Sequence, residues 1–175
     1  MRIVKRPEFK TSNWKNGGGV THEIARRDSS TGLVWRLSLA DVTADGPFSS
    51  YPSMARILTV VEGKGMRLSH DGVELVAAPL KPIKFSGDLE IEGQRTGGDV
   101  QNFNLIYDPN ILNAQAQVLR VGALNLLEKP AALYCCSGHF DVGDVVVPTG
   151  AVALLDDPAV IQSSGTGVLI EFTER

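Results

Sequence analysis

The sequence has no apolar run near the roughly 18 residues that suggest a membrane-spanning helix. Its start, Met1-Arg2-Ile3-Val4-Lys5-Arg6-Pro7, carries charges but no long apolar stretch, which speaks against a signal peptide. Cysteine is limited to the adjacent pair Cys135 and Cys136. Neighbours in an extended strand point to opposite faces, and a disulfide between them would be strained. A reduced, cytoplasmic protein is therefore expected. Histidine is scarce as well: His22, His70 and His139 make up the whole supply. None forms a His-x-His pair, so a His₃ or His₂–carboxylate site has few ligands to draw on, and neither metal nor cofactor is expected. The net charge is −3 and no basic stripe is present, so nucleic acid is not an expected partner, and neither is a membrane. There is no Gly-x-Ser-x-Gly elbow, and no Gly-Lys-Ser/Thr follows the glycine cluster.

What the chain does have is a globular composition. Apolar residues make up 43% of the 175, enough to offset chain entropy, and 18 Gly with nine Pro imply many turns. Strand patterns dominate. They cover Val20 to Arg26, Leu33 to Val42, Arg56 to Glu62, Ile83 to Ser86, Leu89 to Glu92 and Asn102 to Tyr107. They continue at Gln115 to Val121, Ala132 to Cys136, Asp144 to Val147, Val152 to Leu155, Val160 to Ser163 and Val168 to Thr173. Such short strands between frequent turn signals read as an all-β sandwich or barrel. His70-Asp71-Gly72 reads as a hairpin turn, because Asp-Gly tolerates two positive φ angles. Gly63-Lys64-Gly65 and Ser164-Gly165-Thr166-Gly167 read the same way. The best helical candidate is short, around Pro109 to Ala114.

Gly143-Asp144-Val145-Val146-Val147-Pro148-Thr149-Gly150 combines a tight turn, a short strand and a Pro-ended kink. This resembles the second half of a cupin motif, with a looser counterpart near Ala78 to Gly87. The pattern predicts two cupin-like β-barrel halves in one compact chain, a bicupin with RmlC-like jelly-roll character. The expected boundaries are 1–110 and 111–175, with strand exchange between the halves allowed.

Chemistry concentrates in the first third. In Asn16-Gly17-Gly18-Gly19 the glycines permit either an anion-binding nest of backbone N–H groups or a plain loop. In Leu33 to Leu39, Arg36 and Ser38 share one strand face, and Trp35, Leu37 and Leu39 the other. Asn102 and Asn104 likewise share a face. Arg36 suits a carboxylate, since its planar fork binds two oxygens at once. Glu23 could pair with Arg36 or bind an amine.

Trp14-x-Asn16-Gly17-Gly18-Gly19-x-Thr21-x-Glu23-Ile24, Trp35-Arg36-x-Ser38-x-Ala40-x-Val42 and Gly46-Pro47-Phe48-Ser49-x-Tyr51-Pro52 stand in order along the chain. Arg56, Gly63-x-Gly65, Phe85-Ser86-Gly87-Asp88 and Phe103-Asn104-Leu105 come after them. This series resembles the HutD/Ves family, bacterial proteins associated with histidine utilisation. The resemblance runs over roughly residues 3 to 107 and is thin beyond 110. It implies a bicupin fold without the usual metal ligands. It also implies a role in controlling histidine catabolism by binding a small carboxylate, urocanate or a formylated glutamate derivative. Carried over by position, the ligand-binding residues are Trp14, Asn16, Thr21, Glu23, Trp35, Arg36, Ser38, Arg56 and Asn104. Where the family usually has Asp-Phe-Asn-Leu, this chain has Asn102.

A non-enzymatic carboxylate-binding protein, with no catalytic residue assigned, is the favoured reading, and a homodimer is left open. One alternative is a metal-independent isomerase or hydrolase, with Glu23 or His22 as base. The other is an interaction module presenting Trp14, Phe48 and Tyr51 as an exposed aromatic patch.

Overall fold

Alternating apolar and polar residues build strands almost throughout. The structure, a computed structural model, describes residues 1–175. In chain order the strands are β1 (Arg2–Val4), β2 (Lys10–Asn13), β3 (Gly19–Ser29), β4 (Gly32–Val42), β5 (Gly46–Pro47) and β6 (Ala55–Glu62). Next come β7 (Met66–His70), β8 (Val73–Ala77), β9 (Ile83–Ser86), β10 (Glu92–Arg95), β11 (Val100–Tyr107), β12 (Leu112–Leu119) and β13 (Leu124–Leu127). The last are β14 (Ala131–Ser137), β15 (His139–Val142), β16 (Val145–Pro148), β17 (Val152–Leu155), β18 (Ala159–Ser163) and β19 (Thr166–Glu174). The only helical element is a 3₁₀ turn at Arg6–Glu8, and no helix is long and apolar enough to cross a membrane. The helix expected at Pro109 to Ala114 does not form. Asp108 Oδ1 accepts from the Asn110 N–H in a tight turn, and β12 starts at Leu112.

The fold is all-β and cupin-like. The chain divides into two compact units: residues 10–111, and residues 112–175 together with 1–9. Residues 1–9, expected from sequence to belong with the first half, belong to the other unit because β1 pairs with β17. The sheets stay open rather than closing into barrels. In the 10–111 unit a six-stranded sheet, ordered β2-β3-β4-β11-β6-β9, faces a four-stranded one, β5-β10-β7-β8. Val42, Leu58, Val60, Met66, Leu68 and Val100 fill the space between them as one buried cluster. In the other unit the sheets are β1-β17-β14-β19-β12 and β13-β18-β15-β16, around a cluster that includes Leu133, Phe140, Val147 and Leu169.

Asp71 and Gly72 take φ of 45° and 78°, closing the β7–β8 hairpin as their sequence suggests. The glycines at 63–65 and 164–167 do something else. β6 and β7, and likewise β18 and β19, are not paired with each other. These turns carry the chain from one sheet to the other instead of closing hairpins.

Candidate functional site

One face of the six-stranded sheet forms the floor of a cleft of about 530 Å³. Antiparallel register aligns its even-numbered positions. Arg36 and Arg56 flank Ile106, Ser38 and Leu58 flank Asn104, and Ala40 and Val60 flank Asn102. The odd positions Leu37, Leu39, Phe103 and Leu105 turn the other way and are buried. Strand alternation thus puts Arg36, Ser38, Asn102 and Asn104 on one face, which they share with Leu58 and Val60 of the buried cluster between the two sheets. The segment 12–16 forms one wall, and Pro47 to Tyr51 forms another.

Arg56 is 93% buried, with no carboxylate in ion-pair range. Its Nη1 donates to the Ser49 carbonyl at 3.1 Å. Its guanidinium stands 5.0–5.6 Å from the Phe48, Tyr51 and Phe85 rings. Burial pushes its pKa down to about 10; Tyr51 partly counters this, and the neighbouring charge of Arg36 adds to it. Arg36 donates from Nη2 to the Tyr51 hydroxyl at 2.8 Å and lies 5.2 Å from that ring. The buried Nε of each arginine has no partner. The nearest acids along β3 are taken. Asp28 binds Arg26 through both oxygens, at 2.5 and 2.8 Å, and the Glu23 carboxylate lies 3.9 Å from Arg26. Glu23 therefore makes no pair with Arg36, one of the two roles considered for it above. A bulge between Glu23 and Ala25 shifts the register of β3 at this point.

Of the nine residues expected to bind ligand, Trp14, Asn16, Thr21, Arg36, Ser38, Arg56 and Asn104 line this cleft. Glu23 stands opposite Ser38 in register but does not line it. Trp35 sits on the other face of β4 with Leu37 and Leu39. The cleft also collects Ser12, Lys15, Tyr51 and Asn102, which are not among the residues expected from sequence to bind ligand. Asn102 shares the parity of Asn104, which was the available signal. Tyr51 arrives on a loop, where no period exists to read.

The glycine cluster shapes the wall and is not an anion nest. The Gly17 N–H donates to the Trp14 carbonyl and the Gly18 N–H to Asn16 Oδ1, each at 3.0 Å. At Gly19 a Cβ would meet the Asp41 carbonyl and, at 3.1 Å, the Trp14 indole, so only glycine lets Trp14 lie against the strand. Trp14 then donates from Nε1 to Thr21 Oγ1 at 2.8 Å and meets Phe48 edge-on, with centroids 6.2 Å apart. Trp14, Phe48 and Tyr51 are half-buried cleft walls, not the exposed patch considered above.

No Asp, Glu, His or Cys lines the cleft. His22, one base candidate, pairs in register with Leu39 and so faces away. It bridges Asp41 Oδ2 at 2.7 Å and Thr11 Oγ1 at 2.9 Å, fastening the edge strand β2. No group of three His, Cys, Asp or Glu side chains clusters anywhere in the chain. Cys135 is buried, and burial pushes its thiol pKa up against the hydrogen bonds of Thr149 and Ser137.

Comparison with known proteins brings in relatives along nearly the whole chain. The HutD family model matches residues 6–174. A Pseudomonas putida protein, described as an uncharacterized 21.2 kDa protein in the hutC 3′ region, is 37% identical over 150 residues. That match covers 81% of this chain and 77% of that protein. The structure of HutD from Pseudomonas fluorescens SBW25, in a formate condition, superposes with a TM-score of 0.90 at 29% identity, covering 99% of this chain and 98% of that one. A cupin 2 conserved barrel domain protein from Leptotrichia buccalis shares the fold alone, with TM-score 0.60 and 8% identity over 99% and 96% of the two chains.

Proposed function

We propose that this chain, which belongs to the HutD family linked to histidine utilisation, binds a small carboxylate between Arg36 and Arg56 and modulates that pathway without catalysing a step of it. The carrying observation is a pair of arginines, one of them almost wholly buried, that meet in a cleft with no counter-charge. A buried cation without a partner is costly, and an anionic ligand supplies what the protein lacks. Each guanidinium keeps free N–H donors in a planar fork suited to a carboxylate. The Tyr51 hydroxyl accepts from Arg36, which leaves its own hydrogen available to a ligand oxygen.

Urocanate and a formylated glutamate derivative are the leading ligands. A non-catalytic role is supported by the makeup of the lining, which offers no carboxylate or imidazole as a general base. The same reading takes the chain as a cytoplasmic bicupin, one cupin-like half per unit. Its support is the pair of sheets in each unit and the turn–strand–Pro element at Gly143–Gly150, where Gly143 and Gly150 have φ of 57° and 81°.

Isothermal calorimetry with urocanate and with N-formylglutamate tests the binding, and absorbance or NMR of the same mixtures tests turnover. The expected result is saturable heat with at least one of the two, weakened at least tenfold in Arg36→Met, and unchanged ligand after prolonged incubation. Product formation would overturn the non-catalytic part. Silence with both acids would overturn the carboxylate assignment.

A further inference from the structure

Each of the two four-stranded sheets turns one face to its core and one outward. On β5-β10-β7-β8 the outward face is mostly polar: Arg67, Ser69, Glu74, Glu92 and Gln94 are exposed there, with Val76 among them. Alternation of that kind suits a face in water. On β13-β18-β15-β16 the outward positions are Leu124 and Leu126 of β13, Val160 and Gln162 of β18, Asp141 of β15 and Val146 of β16. Their inward neighbours Phe140, Val142, Val147 and Ile161 belong to the buried cluster.

Leu124 and Leu126 are 71% and 70% exposed, and Val146 and Val160 are exposed as well. Leu126 pairs with Val160, so these two adjoin Leu124, and Val146 closes the row that runs from Leu124 through Gln162 and Asp141. The four apolar side chains leave about 450 Å² in water, most of the roughly 500 Å² of apolar surface that each partner brings to a homodimer interface of standard size. The two ends of this face differ in charge. Glu128, Lys129, Asp144, Asp156 and Asp157 lie in the turns where β13 and β15 stop and β16 and β18 begin. Arg120 and His139 stand at the opposite end, where β13 and β15 start.

We propose that the outward face of β13-β18-β15-β16 is the contact of a symmetric dimer, stacked on the same face of a second copy of this chain with the strands reversed. Reversal sets the acidic turns of each copy over Arg120 and His139 of the other. One face then complements itself, as a two-fold interface requires. The same acidic turns repel an anionic membrane surface, the other apolar cover of this size. The inference does not depend on the carboxylate reading of the cleft.

Sedimentation equilibrium of the full chain tests it. The parent is expected at twice the chain mass at about 50 µM, as for a dissociation constant in the micromolar range or below. Leu124→Glu combined with Leu126→Glu places two carboxylates from each copy in the contact and should weaken the dimer by roughly a hundredfold or more. Both positions are exposed, so the circular dichroism of that variant should match the parent. Val76→Glu, on the outward face of the other four-stranded sheet, should leave the mass at two copies. The orientation is tested by charge at low salt. Arg120→Glu in one chain, and Asp156→Lys with Asp157→Lys in another, should each weaken the dimer alone and recover it when the two proteins are mixed. A parent of single-chain mass at about 200 µM overturns the proposal, whatever other protein it captures. A dimer that survives Leu124→Glu with Leu126→Glu overturns it too. A mixture that fails to recover overturns the reversed arrangement.

Discussion

Replacing Arg56 by methionine is expected to leave the protein about as stable as before, although it removes a buried side chain from the centre of a unit. Methionine keeps much of the length and is flexible enough to fill the space under Phe48 and Phe85. The charge it removes is an expensive one. The fall of the Arg56 pKa to about 10 corresponds to about 3 kcal/mol of destabilised cation at neutral pH. Against this stand the bond to the Ser49 carbonyl and the ring contacts, together worth about 2–3 kcal/mol. The two sides nearly cancel, so the urea midpoint should move by the equivalent of no more than about 1 kcal/mol. A truncation that opens a cavity in a core costs about 2–5 kcal/mol by comparison. The pH dependence has a definite sign. The unfolded chain holds this proton more tightly than the folded one, so parent stability relative to Arg56→Met should rise as pH climbs through about 10. Ligand linkage separates the two proteins further. A carboxylate at a hundred times its Kd should stabilise the parent by about 2.7 kcal/mol and the variant hardly at all. A loss above about 3 kcal/mol with an unchanged m-value, and no gain above pH 10, would refute the claim that Arg56 is held at a cost for a ligand.

Other consequences are open to separate measurement. Gly19→Ala should push Trp14 off β3, visible as altered indole fluorescence, with weaker carboxylate binding and a stability loss of about 1–3 kcal/mol. Asp45 accepts from the Arg95 backbone N–H and from its side chain, each at 3.0 Å, which holds its carboxyl below the usual range. Its contribution to stability is present above the unfolded carboxylate range and is lost as pH falls through the lowered folded value. Carbon-detected NMR should find this titration moved upward in Arg95→Ala. In the native protein a thiol reagent should modify Cys135 only at the rate of unfolding, since it is buried with a raised pKa. Gly72→Val should cost about 1 kcal/mol or more at a φ of 78° without touching ligand affinity.

Most strands are legible in the sequence because they alternate, and two, Ile83–Ser86 and Val152–Leu155, match to the residue. β7 and β8 are signalled only by the hairpin turn between them, and β1, β2, β5, β13 and β15 are not legible. These five are two to four residues long, too short for any period to show. The expected strand at Leu89 to Glu92 lies instead at Glu92–Arg95, where pairing with β7 sets its limits. The glycines at 63–65 look like a hairpin because local sequence encodes a turn but not the sheet that the next strand will join. Within the site, parity puts Arg36, Ser38 and Asn104 on shared faces, and the register of the sheet brings those faces together. Glu23 shows the limit of parity, since a single bulge beyond it shifts the pairing of β3 from Ala25 onward. Tyr51 and Ser49 hold the arginines from a loop, where alternation carries no information.

The most direct measurement is a crystal structure of this chain grown with urocanate or N-formylglutamate at saturating concentration. The account predicts a carboxylate seated between Arg36 and Arg56, within hydrogen-bond distance of both guanidinium groups and of the Tyr51 hydroxyl. A well-ordered ligand elsewhere in the chain, with this cleft holding only water, would contradict it.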